Sequence, residues 1–203
     1  EIKLVARIIA DGYVSDNFAY EAIISPSYRI FDKNNVTATI NSAGNIGYND
    51  YPRNQQGIGV RFEESESMAF EGALLLSVNG NELYNVARGE YQLRKDKDFQ
   101  VINAMNLNYP SIFADAEGSC LFETINDDTL NVSKLRISNN IYQFKRKELE
   151  NTIFTFYKVY NFSDKKVDST YVGLYFDWDI GIPQRNQIWW DEHHSIAIAK
   201  SID

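Results

Sequence analysis

Short runs in which apolar and polar residues alternate recur along the chain, and turn residues interrupt them about every ten positions. Successive side chains of a strand point to opposite faces, so a period of two marks half-buried strands. Val36, Ala38 and Ile40 alternate with Thr37 and Thr39, and Ile58, Val60 and Phe62 alternate with Gly59 and Arg61. Residues 73–78 form a continuous apolar run that predicts a buried strand, and 119–125, 135–137 and 196–199 are further strand candidates. Ile153, Thr155, Tyr157 and Val159 alternate with Phe154, Phe156, Lys158 and Tyr160. That stretch is apolar on both faces, which predicts a central strand covered on both sides. Turn signals fall at 32–35, 42–45, 79–81, 126–128, 139–140 and 163–166, and Asn79-Gly80 suits a tight hairpin. Helical spacing is confined to 4–9 and 63–71.

This rhythm predicts an all-β fold, an antiparallel two-sheet β-sandwich with Greek-key or jelly-roll-like connections. One domain spans 1–203, with 1–30 a separate lead-in. The expected core comprises Ile40, Val60, Phe62, Leu74, Leu76, Phe99, Phe122, Phe156, Leu174, Phe176 and Trp178. The chain opens in mid-pattern at Glu1, with Ile2, Leu4 and Val5 already apolar, and reads as a fragment of a larger protein.

Charge narrows the partners. The formal net charge is -8, which argues against non-specific binding to nucleic acid or to an anionic membrane surface, since both need a positive field. No apolar run approaches the roughly 20 residues that a membrane-spanning helix needs. The lone Cys120 sits near Glu117 and Glu123 with no basic neighbour, and reads as a small buried apolar residue.

Two segments carry the candidate chemistry. In the run from Tyr171 to Ile180, strand alternation puts Tyr175, Asp177 and Asp179 on one face and Val172, Leu174, Phe176 and Trp178 on the other. The two carboxylates could end the strand and cap a turn. They could begin a Ca²⁺ site, since hard cations gather oxygen ligands and Asn186 and Asp191 follow on the next loop. A glycosidase pair is the third reading, because the spacing permits it. The second segment, Trp189 to His194, holds two of the three tryptophans and both histidines. Trp189, Trp190 and Tyr175 could stack on sugar rings. Adjacent histidines on an extended chain point apart and rarely share one metal. The chain has no Gly-rich phosphate loop, Cys-X-X-Cys or Gly-X-Ser-X-Gly motif.

The runs at 35–47, 57–62 and 70–76, then 157–163 and the Asp177-Trp178-Asp179 strand, together resemble a β-rich region of large exported proteins of Bacteroidetes and related bacteria. Some of those proteins are described as subtilisin-like peptidases or carry a C-terminal type IX secretion sorting domain. The resemblance covers roughly residues 35–199. It implies export, an extracellular or cell-surface location and an accessory β domain, and it brings no catalytic residues. Asn186 and Asp191 stand where that region usually carries an Asn and then a Tyr-Asp, with Trp190 in the Tyr place. The expectation is a non-catalytic interaction module with a structural Ca²⁺, whose partners are other domains of its parent chain, a protein or a glycan. A carbohydrate-binding module is the alternative, and a glycoside hydrolase is the weakest reading.

Overall fold

The computed structural model describes residues 27–87, 98–125 and 133–202, together with the backbone of four short strands ahead of them. Those four are β1 (Ile2–Ala6), β2 (Ile9–Ala10), β3 (Tyr13–Val14) and β4 (Phe18–Ala22), paired as β1 with β4 and β2 with β3. Residues 23–26 and the short links between these four strands, all within the expected 1–30 lead-in, lie outside the described residues, as does the turn expected at 126–128.

The body is a sandwich of two antiparallel sheets. The larger has seven strands. Its members are β5 (Tyr28–Phe31), β6 (Val36–Asn41), β7 (Asn45–Gly47), β8 (Val60–Phe62), β9 (Ala69–Val78), β10 (Glu82–Tyr84) and, late in the chain, β15 (Thr170–Trp178). The smaller is a meander of β11 (Phe99–Asn108), β12 (Ala116–Thr124), β13 (Leu135–Gln143) and β14 (Ile153–Asn161). A separate hairpin, β16 (Asn186–Asp191) with β17 (Ile196–Ser201), follows β15.

The predicted buried strand at 73–78 is the C-terminal part of β9, which lies at the centre of the larger sheet. β15 pairs along one side of it, and β7, β8 and β10 share the other. Asn79 and Gly80 both take positive φ and Asn81 N–H bonds to the Val78 carbonyl, the mirror-image turn that an Asn-Gly pair favours. The helical spacing at 63–71 gives way to a turn and the start of β9, and that at 4–9 to β1 and β2. Propensity over so few residues yields to sheet pairing.

Side chains from both sheets fill one core. Phe31, Ile40, Leu74, Leu76 and Val78 of the larger sheet meet Phe99, Met105, Phe122, Ile137 and Ile141 of the smaller. Polar groups lock the layers together. Buried Gln143 donates through Nε2 to Asn34 Oδ1 (2.8 Å) and to the Val36 carbonyl (2.6 Å), and its Oε1 accepts from Lys33 N–H (3.0 Å). Ser42 Oγ accepts from Met105 N–H at 2.7 Å. The lone Cys120 is buried, and burial pushes its thiol up to about 12.

Three expectations need correction. Asn139 and Asn140, expected in a turn, lie inside β13, and Asn139 points into the core. β14, expected at the centre of a sheet, is an edge strand, and Phe156 on it is 54 % exposed. Leu174, expected in the core, is 55 % exposed, although it stands opposite fully buried Leu74 on the neighbouring strand. Phe156 lies on the outward face of its sheet, and Leu174 lies on an edge strand. Alternation reports that a face is apolar, but what lies against that face decides whether it is covered. Phe62, Phe176 and Trp178 are half-buried, and the other expected core residues are buried.

Candidate functional site

The outer face of the smaller sheet carries exposed Phe156 and Tyr160 beside half-buried Tyr142 and Phe154. β13 alternates cleanly, with Leu135, Ile137, Asn139, Ile141 and Gln143 inward. Its register sets Tyr142 opposite Phe154, Asn140 opposite Phe156, Ser138 opposite Lys158 and Arg136 opposite Tyr160, all on the outward face. The Tyr142 and Phe156 rings meet edge to face at 5.8 Å, as do Phe144 and Phe154 at 5.8 Å. With Phe113, which is 76 % exposed, and with Leu149 and Arg146, these rings line an open groove of about 500 Å³. Arg146 is the one charged residue in that lining, and its guanidinium lies 5.6 Å from the Phe144 ring.

Further along the same face Tyr160 and Phe162 form another edge-to-face pair, at 6.5 Å, and the Arg136 guanidinium sits 4.1 Å over the Phe162 ring. Arg136 is fixed by Glu123, which accepts from its Nη2 at 2.9 Å and its Nε at 3.2 Å. Gln100 Nε2 donates to the other carboxylate oxygen at 2.8 Å. Burial opposes ionisation of Glu123, but Arg136, Gln100 and Lys134 outweigh it and hold its carboxyl below the usual range. The aromatic face is therefore held at this end by a charged cross-strand network, which reduces its freedom to rearrange.

The residues singled out from the sequence are distributed differently. Asp177 stands directly opposite Glu71 on β9, and Glu71 is fully buried. A register shift follows between Asp177 and Trp178, and Asp179 N–H bonds to the Met68 carbonyl. The Asn186 amide is engaged in a turn: its Oδ1 accepts from Ile180 N–H (2.8 Å) and its Nδ2 donates to the carbonyls of Ile180 (2.7 Å) and Ile182 (2.9 Å). Asp191 shapes the β16–β17 turn. Its Oδ1 accepts from the N–H groups of His193 and His194, and its Oδ2 pairs with His194 Nδ1 at 2.9 Å. His194 beside it holds the Asp191 carboxyl below its ordinary value. Among the described residues no group of three or more His, Cys, Asp or Glu is placed to hold a metal ion.

Trp189 and Trp190 are consecutive on β16, so strand geometry turns them to opposite faces of the hairpin. Trp190 is 60 % exposed, and the Lys200 ammonium lies 5.7 Å from the Trp189 ring. Tyr175 is half-buried and packs against the core. The three expected sugar-stacking rings therefore do not share one platform. The groove residues Phe113, Tyr142, Phe144 and Phe154 were not anticipated as a site. Of these only Phe154 carries a sequence signal, the doubly apolar pattern of β14; Tyr142 lies on β13, Phe144 follows it, and Phe113 lies on the β11–β12 loop. Neither the protein-family models, the curated proteins nor the solved structures include a match to this chain.

Proposed function

We propose that this chain is a non-catalytic interaction module that binds an extended protein segment across the outer face of its smaller sheet. The observation that supports this reading is the aromatic groove of Phe113, Tyr142, Phe144, Phe154 and Phe156. Aromatic side chains are enriched in protein-binding interfaces. Arg146 gives the groove a positive point on a chain of net charge -8. The segment that fits carries an aromatic or aliphatic anchor beside a carboxylate, because a guanidinium can hold a carboxylate through two parallel hydrogen bonds. The resemblance to exported accessory regions suits such a role at the cell surface, with the partner a neighbouring domain or another surface protein.

Selection from a random linear peptide library on the immobilised protein tests this reading. Enriched peptides should combine apolar anchors with Asp or Glu. Their affinity, measured by fluorescence anisotropy, should fall about tenfold or more in Phe156→Ala, the scale of one lost anchor. Equal affinity for wild type and variant would refute the placement.

A glycan ligand is the second reading, favoured by the exposed indole of Trp190. The three tryptophans of the chain, Trp178, Trp189 and Trp190, all lie in or near the β15–β16 region and outside the groove lining. A saccharide bound at the hairpin would alter tryptophan emission, and a segment bound in the groove would leave it nearly unchanged.

A further inference from the structure

The inner face of the smaller sheet holds a row of polar groups where a sandwich core is usually apolar. Cys120 on β12 stands opposite Asn139 on β13, and Asn139 stands opposite Tyr157 on β14. All three lie on the inward side of the ladder. Asn139 is 0 % exposed, Cys120 is buried, and Tyr157 packs against the core. Asn139 Oδ1, Asn139 Nδ2 and the Tyr157 hydroxyl are buried with no hydrogen-bond partner in the protein. A carboxamide offers two donors and two lone pairs, and a phenol one donor, so this is a concentrated unmet demand. Buried polar groups are almost always satisfied, by protein or by water.

Register partners send their side chains to the same face of the sheet, yet the Asn139 and Tyr157 side chains make no hydrogen bond to each other or to any other protein group. Cys120 is a weak donor, and its thiol stays protonated because burial pushes it up to about 12.

We propose that this row is an internal hydration site, in which ordered water links Asn139 to Tyr157 inside the sandwich. The Tyr157 hydroxyl donates a hydrogen bond to the water oxygen, and the water donates one to Asn139 Oδ1. Asn139 Nδ2 donates to the same water or to a second one. Buried waters typically make about three such bonds to groups that would otherwise be unsatisfied.

Water-oxygen magnetic relaxation dispersion counts waters held long enough to tumble with the protein. Wild type should hold at least one more such water than the double variant Asn139→Leu/Tyr157→Phe, which removes both demands together. Circular dichroism and a cooperative melt would establish that the variant is folded. Equal counts in the two folded proteins would overturn the proposal. If the double variant does not fold, a crystal structure of the wild type decides. A water peak about 2.7–3.2 Å from an Asn139 side-chain atom supports the site. The absence of such a peak overturns it, whether or not Asn139 bonds Tyr157 directly.

Discussion

The ring of Phe31 lies across the backbone of Gly118, so that a Cβ at Gly118 would stand 2.3 Å from Phe31 Cζ. Phe31 belongs to the larger sheet and Gly118 to the smaller, so this contact joins the two layers. Gly118→Ala should therefore destabilise the fold by about 1–3 kcal/mol, the usual cost of overpacking. Urea unfolding measures it. Adding Phe31→Leu should recover part of the loss, because the smaller side chain vacates the space. An unchanged midpoint for Gly118→Ala would contradict the interlayer contact.

Phe176 and Phe156 separate core packing from surface. Phe176 packs over Gly72, where a Cβ would stand 2.7 Å from its ring, and stacks on Trp178 at 4.9 Å. It is half-buried, so Phe176→Ala should cost about 2–3 kcal/mol, short of the roughly 3–5 kcal/mol of a fully buried phenylalanine. Phe156→Ala, on the exposed face, should cost less than about 1 kcal/mol. A reversed order in chemical denaturation would place β14 in the core and β15 outside it.

Glu123 ties acid stability to the aromatic face. Its folded carboxyl is held below the ordinary value of 4.5. A depressed folded value contributes stability that is complete above the unfolded value and is lost as pH falls through the folded one. Wild type should therefore lose stability on acidification below about pH 4.5, and Glu123→Gln should lose less over that window while being weaker at neutral pH. Parallel pH profiles for the two proteins would show that the Arg136 and Gln100 contacts carry no net stabilisation.

Calcium has a sharp prediction. The Asn186 amide and the Asp191 carboxylate are engaged in turns. Among the described residues, Asp177 and Asp179 belong to no group of three or more His, Cys, Asp or Glu placed to hold a metal ion. After EDTA treatment, millimolar Ca²⁺ should shift the melting temperature by less than about 1 °C. A ligand at a hundredfold excess over its Kd would add about 2.7 kcal/mol, or roughly 5–10 °C here. A rise of that size, absent in Asp177→Asn, would restore the metal site.

The sequence was most legible where local chemistry decides the outcome. Asn79-Gly80 declared its turn, and the alternation along 36–40 and the apolar run at 73–78 declared their strands. It was least legible where the answer depends on what lies across the sheet. The rings at 154, 156 and 160 carry the same pattern whether a layer covers them or solvent does. The Asn139-Asn140 pair carries a turn signal, and the inward placement of Asn139 follows instead from the ladder that holds it on both sides. Asp177 and Asp179 were visible as a pair, but the buried carboxyl facing Asp177, that of Glu71, is about a hundred residues away in sequence and comes from the β9–β15 register alone.

The most direct test of the proposed binding face is amide chemical-shift mapping with a library-selected peptide on the isotope-labelled protein. The account predicts saturable shifts clustered around Phe113, Tyr142 to Leu149 and Phe154 to Phe156, with the β16–β17 hairpin unmoved. Shifts centred on Trp189 and Trp190, or on the exposed edge at Val172 and Leu174, would contradict it.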